Sequence, residues 1–210
     1  MSKEAGLLKT AIGVLLALIA LIFALRYDSA ISFFLSGIQN NILNQILFVI
    51  TLLGSTIMIL FILTSVFMWH EHKRKWIPAL WLSLLLSAIT SIFFKVFIQR
   101  VRPMDIGFPT LARFYSSFSF WNTSFPSFHA AAAFSALPIL DKEFPRFKFF
   151  WLGFAILVAF SRIYFNLHFL SDVIAGALLG YLIGLFFVRL EERYRMGMKL
   201  FKTKDHKRNK

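Results

Sequence analysis

The chain has 210 residues, of which 58% are hydrophobic, and a mean hydropathy of +0.70. Only 16% of the residues are charged, against about a quarter in soluble globular domains, so the composition excludes an ordinary soluble enzyme. The chain contains no cysteine, which excludes disulfides, thiolate catalysis and cysteine metal sites. These properties predict an integral membrane protein.

Six runs nearly free of charge recur along the chain at helical length. A membrane-spanning helix needs roughly 20 apolar residues. The second and third runs satisfy this length, and the others need flanking residues or snorkelling side chains. We therefore predict an all-α polytopic protein, with six transmembrane helices in a bundle and both termini cytoplasmic. The runs are about 10–25, 46–69, 77–94, 125–140, 149–161 and 173–188.

The first run and the segment after it are interpreted from their flanking residues. Arg26 and Asp28 follow the first run without a small-residue cleavage site, so a retained helix is favoured over a signal peptide. Residues 28–45 then carry apolar side chains at helical spacing with polar ones interleaved. This pattern predicts an amphipathic connector or, alternatively, a helix in the membrane interface beside a lipid entrance. The spaced apolar residues are Ile31, Phe34, Ile38 and Ile42.

The net charge of +13 is distributed unequally between the two predicted membrane faces. With a cytoplasmic amino terminus, most of the 23 Lys and Arg residues fall on the cytoplasmic side, which is the positive-inside pattern. Residues 1–198 are predicted to form one domain, followed by a basic cytoplasmic tail, 199–210. The tail is expected to contact anionic lipid headgroups rather than nucleic acid.

Three short motifs, each beside a long apolar run, carry side chains that suit phosphate chemistry. In the six-helix arrangement all three lie on the extracytoplasmic face, two of them in or beside a non-helical segment, 100–125. Such loops on rigid scaffolds are often functional. The motifs are Lys95 with Arg102-Pro103, Pro126-Ser127-Phe128-His129, and Ser161-Arg162 followed by His168 and Asp172.

The spacing of these residues predicts which side chains share a cavity. Lys95 and Arg102 are seven residues apart, which is two helical turns. Pro126 suits the first turn of a helix, whose free amides around Ser127 and Phe128 are predicted to form an anion site. Upstream of Lys95, three serines at i+4 steps are attributed to helix packing. They are Ser83, Ser87 and Ser91.

Asp172 lies one helical turn after His168 and has two interpretations. It can fix the tautomer of the imidazole, or it can cap the helix.

Three glycines continue the same face at i+4 intervals and predict a packing seam, within the chain or between copies. The glycines are Gly176, Gly180 and Gly184. His70 and His72 are not assigned to a metal site, because residues two apart point to different helix faces.

The pattern Lys-x6-Arg-Pro, Pro-Ser-x-His and Ser-Arg-x5-His-x3-Asp resembles the type 2 phosphatidic acid phosphatase family of integral membrane lipid phosphatases. Soluble acid phosphatases and vanadium haloperoxidases share this signature. The resemblance covers residues 95–172. One position departs from it, since the family usually has glycine where this chain has Phe128.

The resemblance implies a role for each motif residue. His168 is the expected nucleophile, held by Asp172, and forms a phosphohistidine. His129 protonates the departing oxygen and later activates water. The phosphoryl oxygens are held by Lys95, Arg102, Ser127, Arg162 and the amide of Phe128. Because three cations can neutralise a phosphoryl group, no metal and no cofactor is expected.

The expected function is hydrolysis of a lipid phosphate or diphosphate on the extracytoplasmic face of the cell membrane. Substrates that the resemblance allows are undecaprenyl diphosphate, phosphatidylglycerophosphate, phosphatidate and lipid A phosphates, of which the first is favoured. Two alternatives remain open: a lipid or anion transporter that uses the same cations, and a catalytically silent relative.

Overall fold

The computed structural model describes residues 3–105, 123–195 and 197. Every long regular element in this part of the chain is an α-helix, which confirms the all-α prediction. Short 3₁₀ turns connect some of the helices, as at Glu71–Trp76 and Pro145–Phe147. The seven helices are α1 (Lys3–Gly37), α2 (Asn41–Leu53), α3 (Thr56–Trp69), α4 (Ile77–Ile98), α5 (Phe128–Glu143), α6 (Lys148–Tyr164) and α7 (Leu170–Tyr194).

Within the described residues, four helical stretches are long and apolar enough to cross a membrane. The pair α2 and α3 adds a fifth if it forms one bent span. The 16 residues of α5 extend about 24 Å, which is less than the ~30 Å hydrocarbon core. The chain is therefore a membrane protein with four or five candidate spans, and a sixth span stays a prediction. The four stretches are Ala11–Gly37, Glu71–Asp105, Pro145–Tyr164 and Leu170–Tyr194.

The prediction of one continuous helix over 46–69 is wrong. The chain bends by 64° between α2 and α3. Gly54 lies at the bend against Val158 of α6, where any Cβ would overlap the valine side chain. Ser55 then caps α3 by accepting a hydrogen bond from the Met58 amide. The absence of charged residues concealed this break, because lipid-facing apolar residues continue on both sides of it.

The interfacial helix considered for residues 28–45 is also absent. Instead, α1 continues to Gly37 and α2 begins at Asn41. The polar side chains of this region bind the end of α6 and the turn that follows. Ser32 Oγ donates to Asn166 Oδ1 at 2.6 Å, and Gln39 Nε2 donates to the Tyr164 carbonyl at 2.6 Å. The segment is therefore an amphipathic connection that is fixed to the bundle by its polar face.

Helix α5 is the centre of the bundle. Its residues from Ala130 to Leu140 are buried except Phe134, which is partly buried. The small side chains let α7 approach so closely that its glycines lie against backbone carbonyls of α5. A Cβ on Gly176, Gly180 or Gly184 would overlap the carbonyl oxygens of Ser127, Ala131 and Ser135 respectively. The predicted glycine seam therefore packs inside the chain and brings the first turns of α5 and α7 together.

Candidate functional site

The predicted site residues come together at one end of the bundle. Lys95 lies in the last turn of α4, Arg162 in the last turn of α6, and Asp172 in the first turn of α7. The start of α5 is joined to α7 by the Ser127 amide, which donates to the Asp172 carbonyl at 3.0 Å. His129 interacts electrostatically with Arg162, His168, Arg102 and Lys95. Three separate motifs thus form one cationic cluster containing two histidines.

Lys95 and Arg102 do not lie on one helical face, although their spacing predicts that they do. Helix α4 ends at Ile98, and Gln99 adopts a left-handed conformation with φ 47°. Arg102 therefore does not continue the helical face of Lys95. The two cations still interact electrostatically, because Arg102 follows the end of α4 by only four residues.

His168 is buried, and its surroundings determine which ring nitrogen carries the proton. Nδ1 lies 2.6 Å from the Ser124 carbonyl oxygen. Since a carbonyl only accepts hydrogen bonds, Nδ1 is the protonated nitrogen and Nε2 carries the lone pair. Burial lowers the pKa of His168 to about 4, against an opposing effect of Asp172. The imidazole is therefore neutral near pH 7, with Nε2 able to act as a nucleophile.

Asp172 does not form the expected direct hydrogen bond to His168. Its Oδ2 lies 3.9 Å from Nδ1 of the imidazole. The carboxylate instead accepts from Arg100 Nη1 at 2.7 Å, from the Phe169 amide at 2.8 Å, and from Ser124 Oγ. Asp172 is thus a helix cap, as the second interpretation held, and it also holds Ser124, whose carbonyl contacts the imidazole.

Several buried donors at the site are fixed on one side and unpartnered on the other. Lys95 Nζ donates to the Thr123 carbonyl at 2.5 Å and lies 5.4 Å from the Phe128 ring centroid. Arg162 Nη1 donates to Thr51 Oγ1 at 2.7 Å. Six buried side-chain atoms of the described residues have no hydrogen-bond partner, and two of them, Arg162 Nε and Ser127 Oγ, belong to this end of the bundle. Since buried polar groups are nearly always paired, these two atoms, together with the cations around them, favour a place for an anion here.

The predicted amide site at the start of α5 is smaller than expected. The Ser127 amide is not free, because it donates to the Asp172 carbonyl. The contribution of the Phe128 amide to anion binding stays a prediction. The positive end of the α5 dipole nevertheless adds to the field of the cations.

Four residues that contact the predicted site residues, directly or through one another, were not predicted from the sequence. Thr51 holds Arg162, Ser124 holds His168, and Arg100 bridges Asp172 to Asp28 of α1. Only Asp28 and Arg100 gave a signal, as ionisable residues beside apolar runs. Thr51 and Ser124 belong to common residue types without such a signal.

The described residues contain no group of three or more His, Asp or Glu that could hold a metal ion. The independence from metals expected from the cations stays a prediction.

Two solved structures share this fold. A transmembrane PAP2 type phosphatidylglycerolphosphate phosphatase from Bacillus subtilis is 23% identical with a TM-score of 0.64, covering 86% of this chain and 96% of the other. Aquifex aeolicus LpxE is also 23% identical, with a TM-score of 0.63, covering 77% of this chain and 94% of the other.

One curated relative matches over a short segment. An inositol phosphorylceramide synthase from Candida albicans is 38% identical over 56 residues, which are 27% of this chain and 12% of the synthase. The match therefore spans about an eighth of that protein.

The family assignment depends on a longer match. Residues 76–196, more than half of the chain, match the PAP2 superfamily, and this range contains all three motifs. The resemblance inferred from the motifs is thereby confirmed, and the chain belongs to the PAP2 superfamily.

Proposed function

We propose that this protein is a membrane lipid phosphatase that acts through a phosphohistidine intermediate. The observation that supports this most is the pair of buried, unpartnered donors, Arg162 Nε and Ser127 Oγ. They belong to the same end of the bundle as His168, whose Nδ1 is engaged by a carbonyl. If a phosphoryl group is bound by these donors and by Lys95, the Nε2 lone pair of His168 can attack its phosphorus atom.

The proposed reaction has two steps. In the first, Nε2 of His168 forms a bond to phosphorus, the bond from phosphorus to the leaving oxygen breaks, and His129 donates a proton to that oxygen. In the second, water attacks phosphorus while His129 accepts its proton, and the N–P electron pair returns to Nε2. Lys95, Arg102 and Arg162 balance the charge on the phosphoryl oxygens throughout.

The proposed site faces the extracytoplasmic side, with six membrane crossings and both termini in the cytoplasm. Many cations of the described residues lie at the end of the bundle opposite His168, which favours that end as cytoplasmic. Two of them hold that end together, since Lys73 Nζ donates to the Glu143 carbonyl at 2.7 Å and Lys142 pairs with Glu192. The tail 199–210, which we propose to contact anionic lipids, lies outside the described residues, as does most of the loop 100–125.

The substrate we propose is a lipid whose tail remains in the bilayer while its phosphate enters the cationic cluster. Candidates are undecaprenyl diphosphate, phosphatidylglycerophosphate, phosphatidate and lipid A phosphates. We favour undecaprenyl diphosphate, because an outward-facing phosphatase site suits the recycling of a lipid carrier. The short match to a synthase supports a second candidate, transfer of the phosphoryl-linked group to an alcohol instead of water.

Phosphate release from these four lipid classes tests the proposal. The purified protein is assayed in detergent with EDTA, beside His168→Ala and Asp172→Ala. We expect turnover of at least one lipid that survives EDTA and is lost in the His168 variant. Product analysis with inositol or another alcohol present distinguishes hydrolysis from transfer. A folded wild-type protein that releases no phosphate from any lipid would contradict the proposal and favour a transporter or a silent relative.

Thr51→Val tests whether Thr51, in the last turn of α2, positions Arg162 for phosphate binding. The substitution keeps the shape of the side chain but removes the acceptor of Arg162 Nη1. We expect inhibition by orthovanadate, which mimics five-coordinate phosphorus, to weaken about tenfold, in line with the ~1.5 kcal/mol value of a charged hydrogen bond. Thr90→Val is the matched control, because Thr90 bonds only to carbonyls of its own helix. Equal inhibition constants for both variants would show that Thr51 does not position Arg162.

A further inference from the structure

We infer that Asp28 of α1 is a positioning residue of the catalytic assembly, acting on His168 through Arg100 and Asp172. This inference rests on the proposed function, because an effect on kcat presupposes that the protein is a phosphatase. Asp28 lies outside the family match, which begins at residue 76. It would make the first helix part of the active site rather than a membrane anchor alone.

The Arg100 guanidinium joins two carboxylates from different helices. Its Nη2 donates to Asp28 Oδ2 and its Nη1 donates to Asp172 Oδ1, both at 2.7 Å. The guanidinium carbon also lies 4.2 Å from the Phe169 ring centroid. The planar fork of arginine suits two such contacts, and a lysine could not reproduce both.

Asp28 also fixes the start of α7 directly. Its Oδ1 accepts from the Ser171 amide at 3.0 Å, and its Oδ2 accepts from Ser171 Oγ at 2.5 Å. Ser171 immediately precedes Asp172. Asp28 therefore restrains the first turn of α7 through the backbone, while Arg100 restrains the Asp172 carboxylate.

The restraint reaches the nucleophile through Ser124. The Arg100 carbonyl accepts from the Ser124 amide at 2.7 Å, and Ser124 Oγ donates to Asp172. The Ser124 carbonyl in turn contacts Nδ1 of His168 at 2.6 Å. Displacement of Arg100 or Asp172 would thus move the group that sets the tautomer and direction of the imidazole.

The burial of Asp28 supports a function beyond holding α1 in place. Its exposed fraction is 4%, on a helix whose neighbouring apolar side chains are mostly exposed. Ionisable residues in membrane segments are costly and are usually paired or functional. Helix α1 has a further polar attachment that involves neither Arg100 nor Asp172, since Ser36 Oγ accepts from Asn166 Nδ2 at 2.6 Å.

The test compares Asp28→Asn with the wild-type protein by kcat, by KM and by the affinity for orthovanadate. The vanadate affinity is measured by calorimetry, so this quantity does not require turnover. We expect kcat to fall and the vanadate Kd to rise by on the order of ten- to a hundred-fold, while KM changes much less, because misplacement of the nucleophile affects the transition state most. Asp28→Glu should recover part of both values. In a cycle with Arg100→Gln, the double variant should lose less than the product of the two single losses, because both residues act through the Arg100 contact, whereas only Asp28 binds Ser171.

Ser36→Ala is the control, because it removes an attachment of the same helix that involves neither Arg100 nor Asp172, and it should change kcat and the vanadate Kd much less than Asp28→Asn does. A lower kcat with an unchanged vanadate Kd would overturn the inference, since it indicates a fraction of misfolded protein. If Asp28→Asn does not fold, Arg100→Lys tests the same link and should weaken vanadate binding. A wild-type protein that binds vanadate but hydrolyses no lipid would contradict the proposed function, while the effect of Asp28 on vanadate affinity would still support or overturn this inference.

Discussion

Replacing His168 by asparagine is expected to reduce phosphate release by on the order of 10⁴-fold or more, which is the scale of losing a nucleophile. Asparagine can still donate its side-chain amide to the Ser124 carbonyl, which His168 Nδ1 contacts at 2.6 Å. It has no lone pair equivalent to Nε2. The loss should therefore appear in kcat, with the unfolding temperature little changed.

The measurement combines steady-state phosphate release with rapid acid-free quenching of a radiolabelled substrate. The wild-type protein should carry label that is stable in alkali and labile in acid, as a phosphohistidine is, and the variant should carry none. His70→Asn is the matched control, because His70 also directs Nδ1 at a backbone carbonyl, that of Val66 at 3.1 Å, but at the other end of the bundle. Labelling of the His168 variant, or turnover near the wild-type rate, would contradict nucleophilic attack by this residue.

Much of the site could be predicted from the sequence because each motif lies where an apolar run ends. Helices that alternate in direction bring these ends to one face of the membrane. The sequence therefore predicts that the cations and the histidines lie close together. Spacing along the sequence predicts less. The heptad spacing of Lys95 and Arg102 does not place them on one helical face, because α4 ends before Gln99, whose φ is 47°, and a left-handed glutamine has no sequence signal that marks it in advance.

The links that hold the site could not be predicted from the sequence, because they join residues distant along the chain. Ser124 and Asp172, or Asp28 and Arg100, are ordinary polar residues until the fold places them in contact. The bend at Gly54 was concealed for a different reason. A glycine in an apolar run has several interpretations, and only the packing of Val158 against its backbone shows why no larger side chain fits.

The second large effect is expected for His129→Ala, and it should depend on the leaving group. General acid catalysis typically contributes about 10²–10⁴-fold, and a lipid alcohol leaves poorly without a proton. For a natural lipid phosphate we therefore expect a loss of that size. His129 lies in the first turn of α5, at the same end of the bundle as the cations and His168.

An aryl phosphate with an acidic phenol distinguishes acid catalysis from a structural effect. Its leaving group needs no proton, so the first step should be nearly as fast in His129→Ala as in the wild-type protein. Hydrolysis of the intermediate would remain slow, because no base activates the water, and a burst of phenol followed by accumulated phosphohistidine is the expected result. His72→Ala, at the opposite end of the bundle, should show neither change. An equal loss on both substrates without a burst would mean that His129 organises the site and does not transfer protons. The reason is that a lost proton donor slows a basic leaving group much more than an acidic one.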